Sequence, residues 1–244
     1  MADATKTLLV GWDGADWNVL RPLMQRGLLP TLDLITRQGV TADLVSLPPY
    51  LSPMLWNSIA TGKRPWRHGV HGFTEIDAEG RVQPVTSRSR KVPALWNMLT
   101  AEKRRSLVVG WYASHPAEAV DGVCVAETFF HPPDDTPAAV PAGSVAPAAL
   151  AADLAALRVT AETLDPNLWP MFCLGLTPEV AAQDPLVRKL GNHLAELYSV
   201  HNVAASLVET EAWDFAAVYF HFLDWVMHDF EKFLAPAAAD APLA

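Results

Sequence analysis

Two segments near opposite ends of this 244-residue chain each place a carboxylate where an apolar run stops. In Thr7-Leu8-Leu9-Val10-Gly11-Trp12-Asp13-Gly14 the run breaks at glycine just before Asp13. Val218-Tyr219-Phe220-His221-Phe222-Leu223-Asp224 does the same, with His228 four residues beyond Asp224. Residues four apart on a helical turn share a face, so Asp224 and His228 can ligate one ion. Carboxylate plus imidazole suits Zn2+ or Mn2+. Between the two segments lies Ser52, followed by Pro53, at the start of a helical stretch that Gly62 ends. A hydroxyl there feels the positive end of the helix dipole, and a bound divalent cation would make it a nucleophile at neutral pH. A carboxylate, a serine and an Asp-x-x-x-His pair, each at the end of a separate element, are the parts of a metallohydrolase.

Each of these residues also has an ordinary structural reading. Asp13 fits an N-cap or an Asx turn, although Asp16 stands closer to the helical run that Trp17 and Val19 begin and is the better cap. Ser52 before Pro53 fits a helix N-cap with proline at the first helical position. Asp224 fits a cap as well, and His228 a half-exposed helix histidine. His221 reads as packing or as support behind the ligands, and Asp229 as a carboxylate that orients the His228 ring. Lys63, Arg64 and His71, just beyond the serine helix, are candidate substrate contacts, while His68 reads as structural. Gly11-x-x-Gly14 lacks the third glycine of a dinucleotide fingerprint. No G-x-S-x-G elbow surrounds Ser52.

The elements that must position these groups alternate along the chain. Strands are expected at Leu8–Gly11, Val40–Val45, Ser106–Trp111, Val123–Ala126 and Ala217–Leu223. Helical patterning covers Val19 to Met24, Leu32 to Ile35, Ser52 to Gly62, Pro93 to Arg104 and Leu186 to Glu211. The alternation predicts an α/β fold, a doubly wound and mostly parallel sheet. Asp13, Ser52 and Asp224 should then converge at its carboxyl edge. Residues 1–130 and 186–233 form the expected core, 131–185 a Pro/Ala-rich helical insert or cap, and 234–244 a disordered tail.

Composition narrows the function classes. Half the residues are apolar and 18% are charged, enough for a large core. The net charge of -9 argues against a nucleic-acid polymer as partner. No apolar run reaches the roughly 18 residues of a membrane span, and no signal peptide precedes the first strand, so the expected address is cytoplasmic. Cys124 and Cys173 show no zinc-ligand spacing and read as small buried hydrophobes.

Taken together, these residues resemble the alkaline phosphatase superfamily, in its type I phosphodiesterase/nucleotide pyrophosphatase branch. The resemblance is carried by Leu9 to Gly14, by Leu51 to Phe73 with Ala60-Thr61-Gly62 and His68-Gly69, and by Leu223-Asp224 with His228. Trp111 to Ala126 is similar to bacterial members. The resemblance implies a two-metal hydrolase of small phosphate esters: phosphodiesters, pyrophosphates or phosphomonoesters. Asp13 and Ser52 match the ligands of one ion, with Ser52 the nucleophile. Asp224 and His228 match those of the other. Two divalent ions are implied, Zn2+ or Mn2+.

The chain also departs from the pattern. Phe73 stands where the family carries a phosphate-binding asparagine. Leu55 breaks the sulfatase nucleophile motif, and the Asp-Ser-Ala motif of the alkaline phosphatases proper is absent. The family's later Asp-His-Gly motif and a further histidine are not found either, so each ion keeps two protein ligands where catalytic zinc has three or more. The chain therefore reads as the N-terminal portion of such an enzyme, truncated at its C-terminal end. Its uncovered sheet edge predicts self-association. The alternative is a non-catalytic α/β module that binds a phosphorylated ligand or a partner chain.

Overall fold

The computed structural model describes residues 5–131, 139–172 and 183–233. Cys173, the 234–244 tail and parts of the expected insert lie outside the described residues.

A five-stranded sheet organises the chain, built from β1 (Thr7–Trp12), β4 (Ser106–Val109), β5 (Gly122–Val125), β6 (Val145–Ala146) and β7 (Phe215–Phe220). A separate hairpin pairs β2 (Thr74–Ile76) with β3 (Val82–Pro84). The sheet order is β1-β7-β4-β5-β6, with β1, β7, β4 and β5 parallel and β6 antiparallel to β5. Side chains alternate across a strand, and these strands are apolar on both sides, as a sheet covered on both faces requires. Leu107, Val109, Val123, Val125, Ala216 and Val218 pack on one face against Val200, Val203 and Leu207 of the long helix Pro185–Thr210. Val108, Cys124, Ala217 and Tyr219 face the other way, against Ala60, Trp96 and Trp111. That second face carries the serine helix, α3 (Ser52–Thr61), and the helix Leu95–Ala101. The result is the doubly wound, mostly parallel α/β sheet expected.

Cys124 is fully buried, and burial pushes its thiol up to about 12, so it behaves as a core hydrophobe. Within residues 139–172, β6 joins the sheet and Leu154 packs into the main core. No helix among the described residues is long and apolar enough to cross a membrane.

The N-terminal side departs from expectation. Val40–Val45 is not a strand but an exposed irregular segment, with Val40 97% and Val45 89% exposed. Among the described residues β7 is the only strand paired with β1, and Val40–Val45 joins no ladder. The helices that follow β1, α1 (Trp17–Gln25) and α2 (Pro30–Gln38), contain no buried residue. Apolar side chains at Leu8 and Val10 on β1, and at Leu34 and Ile35 on α2, remain exposed.

Candidate active site

The parallel pairing of β1 with β7 brings the two ends of the chain together. Gly11 lies opposite Tyr219 and Trp12 opposite Phe220. The Asp13 amide extends the ladder by donating to the Phe220 carbonyl at 3.0 Å. The Tyr219 hydroxyl donates to Asp13 Oδ2 at 2.5 Å. Asp13 therefore caps nothing. Asp16 caps α1 instead, accepting from the Asn18 amide at 2.7 Å. Gly14 turns the chain at φ +75°, a conformation that L side chains resist. A Cβ there would stand 2.8 Å from the Asp224 Cα, so the turn after Asp13 rests directly on the backbone of Asp224.

Asp224 lies in the first turn of the helix Phe222–Phe230, which follows β7 at once. His228 Nε2 sits 3.5 Å from Asp224 Oδ1, one turn along. Burial, then the nearby Asp13 charge, raise the Asp224 pKa, and His228 opposes them. Two carboxylates from opposite ends of the sequence thus repel one another across this strand edge, an arrangement that a cation relieves.

His221 occupies the helix's N-cap position without a side-chain capping bond. It is buried among Tyr112, Tyr219, His131 and Trp225, and its Nε2 has no hydrogen-bond partner among the described residues. Burial first, then His131, push its pKa down to about 3, so it stays neutral. The expectation for Asp229 is corrected: it does not orient His228. Successive helix positions point about 100° apart, and Asp229 turns to the long helix, where His193 Nε2 lies 2.7 Å from its Oδ2 and Lys189 also pairs with it.

Leu51, not Ser52, is the N-cap of α3, which places Ser52 at the first helical position and Pro53 at the second. The capping bond expected of Ser52 is therefore absent, because a residue at the first helical position already has helical backbone angles. One turn further on, Trp56 packs edge-on against Tyr219 at 4.5 Å between ring centroids. Its backbone carbonyl accepts from Trp111 Nε1 at 3.2 Å. Those contacts seat the first turns of the serine helix beside β1 and β7. Arg90, paired with the Glu118 carboxylate, also reaches Asn57 Oδ1 at 3.4 Å and the Ala113 carbonyl at 3.0 Å.

The substrate candidates separate. Lys63 and Arg64 follow Gly62, beyond the far end of a ten-residue helix from Ser52, about 15 Å along its axis. Both are exposed, and Arg64 lies over the Trp66 ring. His71 is exposed on a loop that returns to the helix start, where a Cβ on Gly72 would touch Leu51 at 3.8 Å. His68 is structural. It is fully buried, its Nδ1 accepts from the Val70 amide at 3.1 Å, and its Nε2 pairs with Ser58 Oγ at 2.9 Å.

Sequence reasoning missed Tyr219, whose side chain donates to Asp13. Its signal was a lone hydroxyl in a strand otherwise made of Phe, Ala and Val. Burial and the charges of Asp13 and Asp224 raise its pKa, so it remains a proton donor. Among the described residues no three His, Cys, Asp or Glu side chains cluster closely enough to hold a metal ion.

The family model for type I phosphodiesterase/nucleotide pyrophosphatase matches residues 7–241. The chain belongs to this family. The match spans both ends of the site, from β1 and Asp13 through Asp224 and His228, as well as the serine helix. A search of curated proteins gave no match. Among solved structures, the fold is similar to phosphonoacetate hydrolase from Sinorhizobium meliloti 1021 in complex with phosphonoformate, with a TM-score of 0.53 and 14% identity. That similarity covers 95% of this chain and 54% of the hydrolase, so the family member described here spans about half the length of that structure.

Proposed function

We propose that the chain serves a metal-dependent hydrolase of small phosphate esters, whether phosphodiester, pyrophosphate or phosphomonoester. Ser52 is the nucleophile in this reading. Asp13 and Ser52 hold one divalent ion, and Asp224 and His228 the other. The observation that carries the reading is the meeting of Asp13 and Asp224, where burial first and the Asp13 charge second raise the Asp224 pKa. Such a pair is costly to hold ionised without a cation. Carboxylate oxygens with one imidazole suit Zn2+ or Mn2+. Divalent ions bound there would neutralise phosphoryl oxygens and acidify a coordinated hydroxyl.

The chain's own groups supply the rest. Ser52 does no capping, so its hydroxyl and the positive end of the helix dipole are both available to a phosphate. Gly14 and Tyr219 fix Asp13 against Asp224, and His71 stands on the loop beside the serine helix. Two protein groups per ion predict weak, readily exchanging metal.

The test is hydrolysis of bis(p-nitrophenyl) phosphate with Zn2+ or Mn2+ added. Ser52→Ala should abolish turnover and leave the circular dichroism spectrum unchanged, whereas His228→Ala should lower metal occupancy and rate together. Full activity in Ser52→Ala would remove the nucleophile assignment. A second reading, a non-catalytic module that binds a phosphorylated ligand, draws support from the lack of a three-ligand cluster among the described residues. It predicts binding of the ester with no turnover by wild type.

A further inference from the structure

Tyr219 is fully buried, packed between Trp56 and Trp111 with His221 4.4 Å away, ring to ring. Phenylalanine would fill the same space. A hydroxyl in such a place costs free energy unless it finds a partner, and the partner here is Asp13 Oδ2 at 2.5 Å. The ring itself cannot shift to avoid that bond. A Cβ on Gly11 would stand 3.2 Å from the Tyr219 ring and 2.6 Å from the Trp56 ring, so both rings are seated against the bare glycine backbone. Asp13 is therefore tied to β7 twice, by its amide to the Phe220 carbonyl and by its side chain to Tyr219.

We infer that Tyr219 is a positioning residue: its hydroxyl locks the Asp13 carboxylate in one rotation, with Oδ2 held and Oδ1 left for a cation. The inference rests on the proposed role of Asp13 as a metal ligand. A carboxylate with both oxygens free rotates about its terminal torsion, which is broad and shallow, and must be ordered when a cation binds. Tyr219 does that ordering during folding. It also makes β7 a double contributor, since the strand that holds Asp13 leads within four residues to Asp224.

The experiment measures Mn2+ binding to the whole chain by the EPR signal of free Mn2+, without substrate. Wild type, Tyr219→Phe, Asp13→Asn and Tyr112→Phe are compared after circular dichroism has verified the fold of each. Tyr112 is the matched control, a neighbouring tyrosine 6.2 Å from Tyr219 between ring centroids, for which no bond to Asp13 is found. Loss of a partner that orients a metal ligand weakens binding about 10- to 100-fold. Tyr219→Phe should weaken Mn2+ by about ten-fold, Asp13→Asn by more, and Tyr112→Phe by less than two-fold. Weak binding in Asp13→Asn with unchanged binding in Tyr219→Phe overturns the positioning role and leaves the ligand role of Asp13 standing. Equal loss in Tyr219→Phe and Tyr112→Phe also overturns it, by reducing the effect to general loosening of the aromatic cluster. Unchanged binding in Asp13→Asn, or none in wild type, overturns the metal reading itself. If Tyr219→Phe fails to fold, Tyr219→His takes its place, since a ring that donates from nitrogen should recover part of the affinity and one that only packs should not.

Discussion

The indole of Trp56 fills the space that a side chain on Gly11 would need: a Cβ there would meet the six-membered ring at 2.6 Å and 2.9 Å. Trp56 lies one turn after Ser52, so the bare backbone at Gly11 is what lets the serine helix lie close to β1. Gly11→Ala should destabilise the fold by about 1–3 kcal/mol in urea denaturation, the usual cost of overpacking. Combining it with Trp56→Leu should cost less than the two single changes added together, because the collision is between these two residues. Strict additivity would show that the close approach is not what makes the glycine necessary.

Gly14→Ala should be harsher in function than in fold. The positive φ and the nearby Asp224 backbone both oppose a Cβ, and strain of that kind costs about 1–3 kcal/mol. Relief comes by moving the turn away from Asp224, which separates the two carboxylates. We expect Mn2+ affinity to fall well beyond what a matched destabilising change elsewhere in the core produces. If affinity tracks stability alone, the turn is not a part of the site.

Acid should weaken the fold through His221. Its folded pKa is pushed down to about 3, whereas the unfolded chain takes up that proton near pH 6.5. Between those values the unfolded state binds more protons, so stability is lost as pH falls from about 6.5 towards 3. The slope from this group is at most about 1.4 kcal/mol per pH unit. Thermal melts of His221→Phe against wild type at pH 7, 6, 5 and 4 should show the variant losing less stability on acidification. Parallel curves would mean that His221 is not buried neutral.

The side of β1 away from β7, unpaired among the described residues, and the exposed apolar residues on β1 and α2 should make the isolated chain associate. Sedimentation velocity over a hundred-fold concentration range should show mass rising with concentration. Val10→Lys, on that edge strand, should shift the distribution towards monomer. A single monomer boundary at every concentration in wild type would refute the expectation.

The sheet and its two carboxylate-bearing ends were legible because they rest on local signals. Apolar runs that stop at Asp13 and Asp224 mark strand ends, and the Asp224–His228 spacing is a property of one helix turn. What the sequence hid was non-local. The alternation of Val40–Val45 resembles a strand, but pairing depends on a neighbouring strand, and none among the described residues lies beside that segment. Ser52-Pro53 resembles an N-cap and first position, yet the helix starts one residue earlier than that pattern suggests. Lys63 and Arg64 look close to Ser52 by number, and a straight helix carries them away from it. Gly11 and Gly14 read as turn residues of their own segment. Their missing side chains make room for Trp56 and Asp224, partners that no local pattern reveals.

The strand order has a consequence for the chain while it is being made. Thr7 pairs with Phe215, and no other described strand lies beside β1. Among the described strands, β1 therefore waits for β7, about two hundred residues later in synthesis, before it gains a ladder bond. At typical translation speeds of about 5–20 residues per second, that wait is roughly 10–40 s. Throughout it, Leu8-Leu9-Val10 is an unpaired apolar β-segment, the kind of stretch that chaperones shield and that pairs wrongly when they do not. Asp13 meets Asp224 only when β7 joins β1, so the proposed metal site forms no earlier than that pairing.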